Sequence, residues 1–76
     1  MINRVKEVIA KQLRINAADI KDTDAIIEDL GADSLDIVEM LMTLEDTLNI
    51  IIPDDVAVGL KTVDKIADYL ESVTGA

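Results

Sequence analysis

A chain of 76 residues that contains neither cysteine nor histidine has no disulfide and none of the common zinc sites to staple it together. A domain of this size buries only about 60% of the surface its unfolded chain exposes. Its stability must come from amphipathic elements packed on one another, and residues 1–76 make one domain at most. Half of the residues are hydrophobic, which argues against disorder although 30% are charged. The same two absences remove the usual general base and the thiolate nucleophile. We therefore read the chain as a protein that is not an enzyme.

Sixteen acids stand against seven bases, for a net charge of −9. They are unevenly placed: residues 1–18 sum to +3, residues 19–55 to −11 and residues 56–76 to −1. Nucleic acid and anionic membrane surfaces need a basic face that releases counterions, so both are excluded as partners and a basic protein is the natural complement. No apolar run approaches the ~20 residues that span a bilayer, so no membrane insertion is expected. Met1-Ile2-Asn3-Arg4 passes straight into amphipathic sequence rather than a signal peptide, and a cytoplasmic protein is expected.

Helical spacing governs most of the chain. Val5, Val8, Ile9 and Leu13 recur on one face from about Asn3 to Arg14, with Asn3 as the expected cap and Lys11 and Arg14 suited to the C-terminal end. Residues 15–33 lack sustained periodicity. Ile15, Ile20, Ile26, Ile27 and Leu30 punctuate this acidic stretch, which we read as a long loop pinned to the core and, by its length, functional. From Leu35 to about Leu48 the helical period returns. Ile37, Leu41, Leu44 and Leu48 form an inward line, while Leu35, Val38 and Met42 form a second. Asn49–Ile52 reads as an apolar connector stopped by Pro53, and 54–60 as one short helix. Thr62 is the expected cap of a last helix reaching about Val73, with Val63, Ile66, Ala67, Leu70 and Val73 in strict register. The fold expected is all-α: a small up-and-down bundle of three main helices plus one short helix, with a long first loop.

Few residues can carry chemistry. Asp22, Asp24 and Glu28 suggest a calcium loop, but Ile26 and Ile27 stand where an EF-hand needs a ligand and a glycine. A solvated acidic face is the better reading, and no metal site is expected. The segment Asp29-Leu30-Gly31-Ala32-Asp33-Ser34-Leu35-Asp36 is different, because an acidic, glycine-bearing turn delivers one serine to the start of a two-faced helix. Serine in such a place is ordinarily a cap. Here Asp33 competes for that role and, with Asp36 three residues on, forms an acidic variant of the capping box. If Asp33 caps, Ser34 is the first helical residue and its hydroxyl is free. No neighbour could activate it, so any reaction at Ser34 belongs to another protein.

Glu28-Asp29-Leu30-Gly31-Ala32-Asp33-Ser34-Leu35-Asp36, continued by Val38-Glu39, Leu44-Glu45 and Ile52-Pro53-Asp54, resembles the acyl carrier protein family. The likeness extends through Thr62-Val63 and Asp68-Tyr69-Leu70 and so covers essentially the whole chain. The resemblance implies a single acyl carrier domain, monomeric, with Ser34 joined through a phosphodiester to 4'-phosphopantetheine by a phosphopantetheinyl transferase that draws on coenzyme A. Acyl chains would ride as thioesters on the arm's thiol. It also implies that Asp33, Leu35, Asp36, Val38, Glu39, Met42, Glu45 and Asp46 meet partner enzymes of fatty acid synthesis and acyl transfer through their basic docking patches. Ile37, Leu44, Ile52 and Leu60 would line an acyl pocket. The alternatives are a specialised carrier for a polyketide or other lipid pathway, and an acidic helical adaptor in which Ser34 is only a cap. The chain departs from the family pattern at Ile37, where threonine is common, and at Leu48, where an aromatic is common. Ile51 and Val56-Ala57-Val58-Gly59 replace an often strongly acidic short helix.

Overall fold

The computed structural model describes residues 1–75, and among them it contains four α-helices and no strand. They are α1 (Ile2–Leu13), α2 (Ser34–Leu48), α3 (Asp54–Ala57) and α4 (Val63–Thr74), with a 3-10 turn at Ala17–Asp19. The helix α1 packs against both α2 and α4 and supplies Val5 and Ile9 to a core shared with Met40, Leu41 and Leu44 of α2 and Val63, Ile66, Ala67 and Leu70 of α4. No polar or charged side chain is buried among the described residues. The expected helical bundle is thus present, with the short helix trimmed to one turn before Val58.

Two helix starts differ from expectation. The first helix begins earlier than predicted, because the carbonyl of Met1 accepts from the amides of Arg4 and Val5. Asn3 therefore lies inside the first turn and caps nothing. Thr62 does hold the capping position of α4, but its hydroxyl turns to the Asp64 carboxylate instead of a helix amide. The long loop does the capping in its place: the amides of Val63 and Asp64 donate to the carbonyls of Asp24 (3.1 Å) and Asp22 (2.8 Å). Helix amides that would otherwise go unpaired are satisfied by backbone far away in sequence.

That loop is held along its length. The Ile26 amide donates to the Lys61 carbonyl at 3.0 Å, beside an isolated antiparallel bridge between Ala25 and Thr62. Within the loop, the Asp29 carboxylate accepts from the Ala25 amide at 2.7 Å and the Ala32 amide donates to the Ile26 carbonyl. Gly31, at φ 75, makes the left-handed turn into α2 that a β-carbon would strain. Of the five apolar residues expected to pin the loop, Ile20 and Ile26 are buried and Leu30 is half-buried. Ile15 and Ile27 are exposed instead, while Ala32 is buried.

At its other end α2 stops on Asn49, which takes the left-handed conformation that asparagine tolerates. Glu45 then gathers the departing chain: its carbonyl accepts from the amides of Asn49 and Ile50, and its carboxylate accepts from the Ile52 amide at 2.7 Å. The turn swings Ile52 into the core and leaves Ile51 83% exposed. We expect Glu45→Ala to cost about 1–3 kcal/mol in urea denaturation, because the buried Ile52 amide loses its acceptor. An unchanged midpoint would show that water replaces the carboxylate.

Candidate functional site

Asp33 is the cap of α2. Its carboxylate accepts from the Asp36 amide at 2.9 Å, and the Asp36 carboxylate accepts in return from the Asp33 amide at 3.2 Å. The box closes without Ser34, which is the first residue of the helix and exposed. Among the described residues no hydrogen bond involves the Ser34 hydroxyl, and the neighbouring carboxylates of Asp33 and Asp36 are engaged with backbone amides instead. Its hydroxyl is therefore free at the start of α2.

Ser34 opens onto a cavity of about 400 Å³, within the range of small-molecule sites. One wall is α2, through Ile37, Val38 and Leu41. The facing walls come from Ala25, Ile27 and Glu28 of the loop and from Ala57, Val58, Leu60 and Lys61 at and after α3. Most of this lining is apolar, so the cavity suits an aliphatic chain. Two of the four residues expected there, Ile37 and Leu60, are on the walls. Leu44 and Ile52 are not; both are buried in the core.

The outward residues Leu35, Val38 and Met42 are exposed on one face of α2, as their spacing predicts. The acids around them are unequal. Asp46 is exposed, and among the described residues it has no partner. Glu39 is exposed but accepts from the Gln12 side-chain amide of α1, and Asp33 and Asp36 are occupied in the capping box. Glu45, half-buried, accepts from the Ile52 amide and so holds the turn after α2. Of the suspected calcium ligands, Asp22 pairs with Lys6 and Asp24 accepts from the Lys21 amide. Among the described residues no group of three or more His, Cys, Asp or Glu is placed to hold a metal.

Sequence reasoning missed Ile27, Leu41 and Lys61 as cavity walls. Leu41 carried a signal only as one of an inward line, and Lys61 carried none, because its position follows from the pairing of the loop with the chain before α4.

Comparison with known proteins agrees with the geometry. Residues 3–70 match the model of a family described as a phosphopantetheine attachment site. An acyl carrier protein of Wolinella succinogenes is 46% identical over 68 residues, 90% of each chain. One of Clostridium perfringens is 46% identical over 74 residues, 97% of each. A solution structure from Anaplasma phagocytophilum, described as an acyl carrier protein, superposes with a TM-score of 0.87 at 32% identity, covering 96% of this chain and 86% of the other. A small helical bundle with a free serine hydroxyl at a helix start and a phosphopantetheine family signature is a carrier domain, which presents substrates to enzymes and is not one itself. The chain belongs to the acyl carrier protein family, and its cofactor is 4'-phosphopantetheine. Its partners by family are a phosphopantetheinyl transferase and acyl-handling enzymes, and no helix among the described residues is long and apolar enough to cross a membrane.

Proposed function

We propose that residues 1–76 form one carrier domain in which Ser34 holds the arm, and that it carries acyl intermediates of fatty acid biosynthesis in the cytoplasm as a monomer. The observation that carries this reading is the Ser34 hydroxyl, released from capping by Asp33 and open to an apolar cavity. In the transfer, the Ser34 oxygen attacks the coenzyme A phosphorus that bears the pantetheine arm, the phosphoanhydride bond breaks, and adenosine 3',5'-bisphosphate leaves with the bonding electron pair. The proton goes to a base of the transferase, since the Asp33 and Asp36 carboxylates are engaged in the capping box. The N-terminus of α2 favours the incoming phosphate, while Asp33 and Asp36 oppose it. When bound, the arm supplies the one thiol that a chain without cysteine lacks. Ile37, Leu41 and Leu60 then offer an aliphatic chain a surface away from water, worth about 0.8 kcal/mol per buried methylene.

Docking follows from Leu35, Val38 and Met42 edged by acids. Such a surface gives fast, salt-sensitive encounters with basic patches. Asp46 is the acid best placed to steer, having no intramolecular partner among the described residues. We expect Asp46→Lys to slow association with a fatty acid synthesis enzyme several-fold at low salt, with the difference vanishing near 1 M, where the Debye length is about 3 Å. Association kinetics that ignore both charge and salt would remove Asp46 from the docking surface. The pathway itself is tested by charging the modified protein with a malonyl group and offering it to fatty acid elongation enzymes. Elongation is the expected result. Val58, 73% exposed, and Ile51 favour a specialised pathway as the second reading, which failure to elongate would select.

A further inference from the structure

Among the described residues, Lys61 is the single cation on the walls of the Ser34 cavity. Its backbone is fixed: the carbonyl accepts from the Ile26 amide at 3.0 Å, the amide donates to the Gly59 carbonyl at 3.1 Å, and the next residue bridges to Ala25. Its ammonium forms no ion pair among the described residues, although Glu28 lines the same cavity. The side chain is exposed. A lysine on an apolar wall lays its methylene stem along that wall and keeps its ammonium in the water at the opening. Ser34 lines the same cavity.

Treated as a sphere, the cavity is about 9 Å across, about one Debye length at 0.15 M salt, so charges on opposite walls are largely screened and interact strongly only when one is brought close to the other. A phosphodiester on Ser34 adds a negative charge to a rim that already holds Glu28 and borders Asp33 and Asp36. Among the described residues, Lys61 is the one wall residue whose charge opposes it. The covalent link keeps this anion permanently at high effective concentration, unlike a free ligand. Phosphate oxygens also accept charge-assisted hydrogen bonds from an ammonium.

We propose that Lys61 pairs with the phosphodiester on Ser34 and is a positioning residue, turning the arm across the mouth of the cavity rather than out toward solvent. This rests on Ser34 being the attachment point. The test is the ³¹P resonance of the modified protein in four forms, wild type, Lys61→Gln, Lys61→Arg and Lys65→Gln, with intact mass confirming modification of each. Lys65 is exposed and does not line the cavity, so it serves as the control. The resonance of Lys61→Gln is expected to be displaced from that of wild type, while Lys61→Arg and Lys65→Gln stay with wild type. Raising salt toward 1 M, where the Debye length is about 3 Å, should carry the wild-type resonance toward the Lys61→Gln position. Superimposable resonances at low salt overturn the proposal. A displacement that appears only after a 3-oxoacyl chain is loaded also overturns it, and assigns Lys61 to the cargo instead. If the mass shows modification and the resonances agree, only the role of Lys61 falls; if wild type takes up no arm, the reading of Ser34 falls and takes this one with it.

Discussion

Incubated with coenzyme A and a phosphopantetheinyl transferase, the protein is expected to gain the mass of one 4'-phosphopantetheinyl group, and Ser34→Ala is expected to gain nothing. The effect is all-or-none because the other hydroxyls of the main helices are differently placed. Thr43, Ser72 and Thr74 donate to carbonyls of their own helices, Thr62 donates to the Asp64 carboxylate, and Thr47 and Tyr69 do not line the cavity. Among the described residues, only Ser34 joins a free hydroxyl to the lining of the apolar cavity. Stability gives the second half of the test. A serine that caps a helix costs about 1 kcal/mol when replaced by alanine. Here Asp33 and Asp36 satisfy each other without it, and alanine is the better helix former, so Ser34→Ala should change unfolding by no more than about 0.5 kcal/mol. A variant that keeps its modification would move the attachment point elsewhere. A variant that loses a full cap's worth of stability without any change in mass from an unmodified wild type would select the adaptor reading.

The part of this site that sequence made legible is the part encoded by local spacing. Asp33 and Asp36 lie three residues apart, a separation that specifies a reciprocal pair of hydrogen bonds at a helix start, and the structure forms both. The stripe of α4 was equally readable, since Val63, Ile66, Ala67 and Leu70 are all buried. Only Val73, in the last turn, is exposed. In α2 the period alone did not fix the phase of the buried face. Apolar residues surround that helix, so an inward line through Ile37, Leu41, Leu44 and Leu48 could be drawn that passed over Met40. Met40 is fully buried, whereas Ile37 and Leu48 are half-buried. Glu45 shows a different limit. Its spacing puts it near the outward acids, but the direction of its carboxylate depends on where the chain turns after Asn49. Contacts between distant backbone groups leave no side-chain pattern at all. The carbonyls of Asp22 and Asp24 that cap α4, and the pairing that sets Lys61 on the cavity wall, are of this kind.

The loop supplies the sharpest test of that distinction, because Ile26 and Ile27 are the same residue in adjacent positions of a segment without periodicity. Ile26 is 0% exposed and Ile27 51% exposed. Truncating a buried isoleucine to alanine costs about 2–5 kcal/mol, and a 76-residue domain has only about 4–11 kcal/mol to lose. Ile26→Ala should therefore lower the urea midpoint steeply while the slope of the transition stays constant. Ile27→Ala should cost less than about 1 kcal/mol, since its side chain already meets water. The consequence reaches the site, because the Ile26 amide is bonded to the Lys61 carbonyl and its own carbonyl to the Ala32 amide, two residues before Ser34. Loosening Ile26 frees the cavity wall and the turn that presents the serine, so hydrogen exchange at Ala32 and Ile26 should accelerate along with global unfolding. Truncating Ile27 should leave those amides protected while removing one wall of the cavity. Equal losses from the two variants would mean that the loop is not pinned through Ile26, and that the serine is held by α2 alone.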